Sequence, residues 1–239
     1  MELRFPAAIY LQEDLKLVRQ ALKASYPDAG TEHAVSINVN PEGAMVQQEK
    51  TQRHVYRTFD GSHQIGLTET SLVLEARGSD YEGFEHFLDR WLLAIEVVVR
   101  AAEVTSQSRL GLRYANQLRV DDASDGMAAL RERVHPALLS PLDAEGFGFD
   151  IQTALHEMRL RNDAVTATLR HGLQIPPNAP TAGQGVYVID IDAYDDQPKA
   201  FELEAHKESL KLLNAQVWDL FRWSITDSEF EDMKPEDRK

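Results

Sequence analysis

Residues 108–120, Ser-Arg-Leu-Gly-Leu-Arg-Tyr-Ala-Asn-Gln-Leu-Arg-Val, constrain this chain more than any other segment. Side chains alternate across a strand. One face of such a strand collects Leu110, Leu112, Tyr114, Asn116, Leu118 and Val120, and the other Arg109, Gly111, Arg113, Ala115, Gln117 and Arg119. The pattern predicts a long core strand buried on its apolar side. Packing alone explains neither three arginines on one face nor an asparagine in the apolar row. Arg109, Arg113, Asn116 and Arg119 are therefore the candidate binding residues. A guanidinium can clamp a carboxylate or phosphate through two parallel bonds, and a buried Asn must find partners. The competing reading is internal: Arg113 paired with an aspartate of this chain, and Asn116 satisfied inside the fold.

The segments around that strand read as alternating sheet and helix. Residues 3–11 make a weak first strand, which Pro6 places at an edge. Leu11, Leu15, Val18 and Leu22 fall at helical spacing, and Tyr26-Pro27-Asp28 ends that helix. Strands are predicted at 34–39, 54–59, 64–68 and 71–76, with Asp60-Gly61 and Glu69-Thr70 as turns, giving an antiparallel meander. Ser79-Asp80-Tyr81-Glu82 reads as a capping box. Phe84, Phe87, Trp91, Ile95 and Val98 then form an apolar helical stripe.

A second series of strands follows at 149–160, 165–174 and 186–191, with a Pro/Gly-rich loop at 175–185. A second long helix at 200–224 carries Leu203, His206, Leu210, Leu213, Val217, Leu220 and Ser224 on one stripe. The expected fold is α+β, in two pseudo-duplicated halves. Each half is an antiparallel sheet covered by one long amphipathic helix. The halves are 1–126 and 127–226 of one compact unit, and 227–239 is an acidic, fraying tail.

Three places carry a family likeness. The first is Phe59-Asp60-Gly61 with Ile65-Gly66-Leu67-Thr68 and Tyr81-Glu82-Gly83-Phe84-Glu85-His86-Phe87. The others are Arg109-Leu110-Gly111-Leu112-Arg113-Tyr114-Ala115-Asn116 and Phe221-Arg222-Trp223-Ser224-Ile225-Thr226-Asp227. The chain resembles a sporadically distributed, uncharacterised bacterial family. That family is marked by an Arg-x-Gly-Leu-Arg-Tyr-x-Asn strand and a C-terminal Ser-Ile-Thr-Asp segment. The resemblance implies a bacterial origin and an accessory, patchily inherited gene. It also implies a His in relatives where this chain has Asn214. It implies no reaction.

Charge and composition narrow the function classes. The 239 residues carry 25 basic and 39 acidic side chains, a net charge of −14. Such a surface opposes phosphate backbones, so no nucleic-acid partner is expected. A basic protein or a second copy of the chain is the expected partner. The absence of cysteine excludes disulfides, thiolate nucleophiles and iron–sulfur clusters. No apolar run reaches the ~18 residues of a membrane span, and Met1-Glu2-Leu3-Arg4-Phe5-Pro6 lacks the features of a signal peptide. A cytoplasmic protein with no membrane association is expected.

Catalytic signatures are sparse. His156-Glu157 has no second His four residues on, and no Gly-x-Ser-x-Gly elbow or Gly-Lys-Ser/Thr phosphate loop is present. Asp190 and Asp192 project to one strand face and are weak cation candidates, for a hard ion such as Mg²⁺. The competing reading is a strand running out into a solvated acidic turn. His206, on an apolar stripe, reads as a packed core residue. No cofactor and no resident metal are expected. The sequence points to a non-enzymatic interaction or regulatory protein of a bacterial accessory locus, antitoxin-like or part of a defence complex. The alternatives are a small metal- or phosphate-dependent enzyme using the Asp190/Asp192 region, and a small-ligand sensor.

Overall fold

The structure is a computed structural model that describes residues 1–8, 12–39, 45–78, 81–120, 126–140, 153–162, 165–174 and 185–233. In chain order the first elements are β1 (Glu2–Arg4), α1 (Gln12–Leu22), β2 (Asp28–Val39), β3 (Met45–Arg57), β4 (His63–Leu67), β5 (Ser71–Ala76) and α2 (Phe84–Ala101). Then come β6 (Ser106–Gln107), β7 (Arg109–Val120), α3 (Gly126–Arg133), α4 (Pro136–Leu139), β8 (Thr153–Arg161) and β9 (Thr166–Gln174). The last are β10 (Gly185–Asp195), β11 (Lys199–Ala200), α5 (Leu203–Ser224) and α6 (Asp227–Asp232).

The expectation of two separate sheets, each under its own helix, is overturned. The strands join one mostly antiparallel nine-stranded sheet in the order β2-β3-β4-β5-β1-β7-β10-β9-β8, with a two-stranded β11–β6 ribbon in addition. The reason lies in β7. It pairs with β1 through its first residues and lies next to β10 in the strand order, so neither of its edges ends a sheet. Nor is α2 a lone cover over the meander, because it packs on α1 as well as on β5. The first strand is likewise not an edge. Glu2–Arg4 sits between β5 and β7, with Leu3 fully buried. Pro6 lies beyond the strand, where its missing N–H is not needed in the ladder.

The chain divides into two compact units, Met1–Gly111 with Asp196–Lys207 and Leu112–Asp195 with Glu208–Lys239. In the first, β2 and β3 form a long hairpin, and β4, β5 and β1 follow by antiparallel pairing. Its core includes Leu3, Leu22, Tyr26, Ile65, Leu74, Trp91, Ile95 and Leu110. Helix α2 starts at Phe84, beyond the expected capping box. Its N-cap is Gly83, at φ 112 with no side-chain cap, a conformation open to glycine. Ser79 and Asp80 lie outside the described residues, as do most of the 175–185 loop and residues 234–239 of the tail.

In the second unit β9 pairs with β10 on one side and β8 on the other, both antiparallel. Tyr187, Ile189, Ile191 and Ala193 of β10 are buried, as are Leu210, Leu213 and Val217 of α5. Where the sequence reads as a fraying tail, Asp227–Asp232 form α6. Thr226 caps it by accepting from Glu229 N at 3.2 Å, and Arg133 holds the buried Glu229 carboxylate through two bonds of 2.7 and 2.8 Å. A helix this short is marginal by itself. The cap and the buried ion pair hold it in place.

Candidate functional site

Strand β10 gives the most chemically loaded part of the second unit. Its odd positions from Tyr187 to Ala193 face the core, so alternation puts Asp190 and Asp192 together on the opposite, polar side. Asp190 is nevertheless buried, with its side chain only 7% exposed. Arg113 covers it from β7: Nε donates to Oδ1 and Nη2 to Oδ2, each at 2.7 Å. On the other flank Arg170 of β9 brings Nη1 to 3.7 Å from Oδ2, and its Nε donates to Glu157 of β8 at 2.7 Å. Register places Asp190 opposite Arg170 and Arg170 opposite Glu157. Four neighbouring strands thus carry Arg113–Asp190–Arg170–Glu157, a row of alternating charge roughly 14 Å long at ordinary strand spacing.

This row decides what Arg113 and Asp190 can do. A buried carboxylate between two guanidiniums is neutralised before any cation arrives, which leaves it a poor cation ligand. The Asp190 hydrogen bonds, and then the charges of Asp190 and Asp192, raise the Arg113 pKa against the lowering effect of burial. Its charge is therefore permanent. Among the described residues no group of three or more His, Asp or Glu side chains could hold a metal ion.

The other strand candidates do not join the row. In the first unit, Arg109 folds back on Glu2 with its side chain 14% exposed. Gly111 makes room for it, since a Cβ there would stand 2.5 Å from Arg109 Nη1. Asn116 makes one long bond, from Nδ2 to the Ile189 carbonyl at 3.5 Å. Arg119 is exposed, and its carbonyl accepts from Arg133 at 2.8 Å.

Both units also bury histidines. In the first, His206 is 1% exposed. Its Nε2 accepts from Trp91 Nε1–H at 2.8 Å, so the proton sits on Nδ1, which faces Gln107 Oε1 at 3.3 Å. In the second, Tyr187 Oη donates to the Leu138 carbonyl at 3.3 Å and lies 2.9 Å from His171 Nδ1, which is therefore the donor. The His156 ring stacks on His171 with centroids 5.3 Å apart. Burial holds both His206 and His171 down at about 4, with smaller help from Lys199 and His156 respectively. Both are neutral imidazoles near pH 7.

Two exposed aromatic features escaped the sequence reading. In the first unit Phe59 is 97% exposed at the β3–β4 turn. That turn is braced. Thr58 Oγ1 donates to Asp60 Oδ1 at 2.7 Å, Ser62 N donates to the same oxygen at 3.0 Å, and Gly61 N donates to Thr58 O at 3.0 Å. The Thr58 hydroxyl and then the Ser62 N–H hold the Asp60 carboxyl well below the usual carboxylate range. A recess of about 530 Å³ lies beside Phe59, lined by Pro27, Asp28, Arg57, Thr58 and Asp60. In the second unit Trp218 is 52% and Trp223 42% exposed.

The signals for these were faint but present. Phe59 is a large apolar residue beside an Asp-Gly turn, and Trp218 falls off the buried stripe of α5. No family model, curated protein or solved structure matches the chain. Among the described residues no helix is long and apolar enough to cross a membrane.

Proposed function

We propose that this chain is a non-enzymatic binding protein of a bacterial accessory locus, acting in the cytoplasm as a regulator or antitoxin-like neutraliser of a basic protein. The observation that carries this reading is Phe59. A side chain of this size left 97% exposed on a hydrogen-bonded turn is a ready-made anchor. The turn is already ordered before binding, so little entropy is lost when a partner closes on it. Asp28 and Asp60 line the recess beside it, with Arg57 as the nearby cation already paired to Asp28 and Glu32. An apolar knob with an acidic rim fits an apolar socket with a basic rim. The net charge of −14 speeds encounter with such a partner. The alternating row at Arg113 supports the same reading, because its charged groups neutralise one another.

Co-expression with each product of the flanking genes tests the proposal. A basic product should form a stoichiometric complex, and Phe59→Ser should weaken it at least about tenfold, as for an interface anchor. The thermal midpoint of the variant should stay unchanged, since Phe59 makes no core contact. Absence of any complex, or a Phe59→Ser protein that binds as wild type does, overturns the reading.

A further inference from the structure

We infer that the aromatic face formed by α5 and α6 in the second unit is a separate docking surface, and that its occupant is a basic amphipathic helix of a partner protein. This rests on the reading of the chain as a binding protein, but on a different set of residues. Trp218, 52% exposed, stands 6.4 Å from the Phe221 ring and 6.0 Å, edge-on, from Phe230 of α6. The Arg222 guanidinium lies 4.6 Å over Phe230 and pairs with Asp227. Trp, Phe and Arg together are the residue types that dominate interface centres. None of them belongs to the stripe of His206, Leu210, Leu213 and Val217 that α5 buries. Phe221, Arg222 and Phe230 are half-buried where α6 meets α5, and Trp218 is the exposed member of the cluster.

Rigidity and charge identify the occupant. Helix α6 is pinned by its Thr226 cap, by Arg133 on Glu229 and by the Thr226 N bond to the Arg133 carbonyl at 3.0 Å. The two aromatic elements are thus held in fixed relation. Asp219 and Glu231, each next to one of these rings in sequence, are exposed, and Asp227 pairs with the Arg222 that lies over Phe230. An aromatic centre with an acidic rim complements a segment that alternates apolar and basic residues. Trp218, Phe221 and Arg222, at i, i+3 and i+4, form the kind of ridge against which a second helix packs.

Intrinsic fluorescence tests this directly. The chain has three tryptophans, of which Trp91 is fully buried and Trp218 and Trp223 are exposed. The probe is a synthetic amphipathic helical peptide of Leu and Lys. It should shift the emission to the blue saturably. Trp218→Ser should weaken its binding at least about tenfold, as should Asp219→Lys with Glu231→Lys, whereas Trp223→Phe should retain both shift and affinity. Equal affinity for Trp218→Ser overturns the inference by placing the peptide elsewhere. Equal affinity for oligolysine also overturns it, because charge alone would then suffice. A complex with a flanking-gene product that Phe59→Ser releases and Trp218→Ser leaves intact sinks this surface while the binding reading stands. Failure of every flanking product to bind sinks that reading instead.

Discussion

His206 and His171 occupy similar depths in different units, and their surroundings differ in one respect. His206 has a partner at each nitrogen, Trp91 at Nε2 and Gln107 at Nδ1. His171 has Tyr187 at Nδ1 and, across its face, the ring of His156. His156 Nε2 is itself buried without a hydrogen-bond partner among the described residues. Both imidazoles are kept neutral, the first with a partner at each ring nitrogen although Gln107 Nε2 is itself left without one among the described residues, and the second against another imidazole. A buried histidine is therefore not by itself a sign of catalysis. Its role depends on whether its neighbours complete its hydrogen bonds or add a second proton site.

The largest single-site effect should come from the His206 side. Trp91→Ala removes a fully buried ring and the donor to His206. Chemical denaturation should show a loss of about 3–5 kcal/mol. A loss below about 1 kcal/mol would mean that the first unit tolerates an open network and that the contrast is false.

Acid comes next and acts on both sides. Each histidine has its folded pKa depressed from 6.5 to about 4. As pH falls, the unfolded chain takes up a proton first. Stability present above 6.5 then drains away between 6.5 and 4, on the order of 3 kcal/mol per histidine. The comparison sharpens with His156→Phe, which removes the ring that helps burial hold His171 down. Imidazole titration by NMR should show His171 moving up and His206 staying in place. An unmoved His171 would remove His156 from the account.

The smallest expected effect is Tyr187→Phe, which takes one hydroxyl from between His171 and the Leu138 carbonyl. The cost should be about 1–2 kcal/mol in a denaturant titration. A neutral result would show that ordered water replaces the hydroxyl, and that the second network is looser than the first.

The sequence made the burial patterns legible and left the pairings hidden. The period of 2 in residues 109–120 puts Leu110, Leu112, Tyr114, Asn116, Leu118 and Val120 on one face; Tyr114 and Asn116 are half-buried and the other four buried. The period of 3.6 in α5 marks Leu203, His206, Leu210, Leu213, Val217, Leu220 and Ser224; all are buried but Leu203 and Leu220, which are half-buried. The internal alternative for Arg113 was also in view, because an Arg on a strand and an Asp on another can meet. The particular partner was not. Arg170 and Glu157 completed the row only once β9 lay between β10 and β8. The helix start at Phe84 was missed because the capping box is a local match, whereas the observed N-cap is a glycine at positive φ.

What the sequence determined by itself is which side of each element leaves water. Side-chain alternation and helical periodicity are local properties, and the hydrophobic effect reads them directly. Tertiary structure alone decided which edges meet: β1 between β5 and β7, and β7 beside β10. Backbone N–H and C=O groups are the same at every residue, so a strand's composition does not name its neighbour. Long-range connection and register make that choice. The same holds for the surface residues of the two proposed docking faces. Trp218 and Phe59 are ordinary apolar letters in the sequence, and only the packing of the other apolar side chains leaves these two facing solvent.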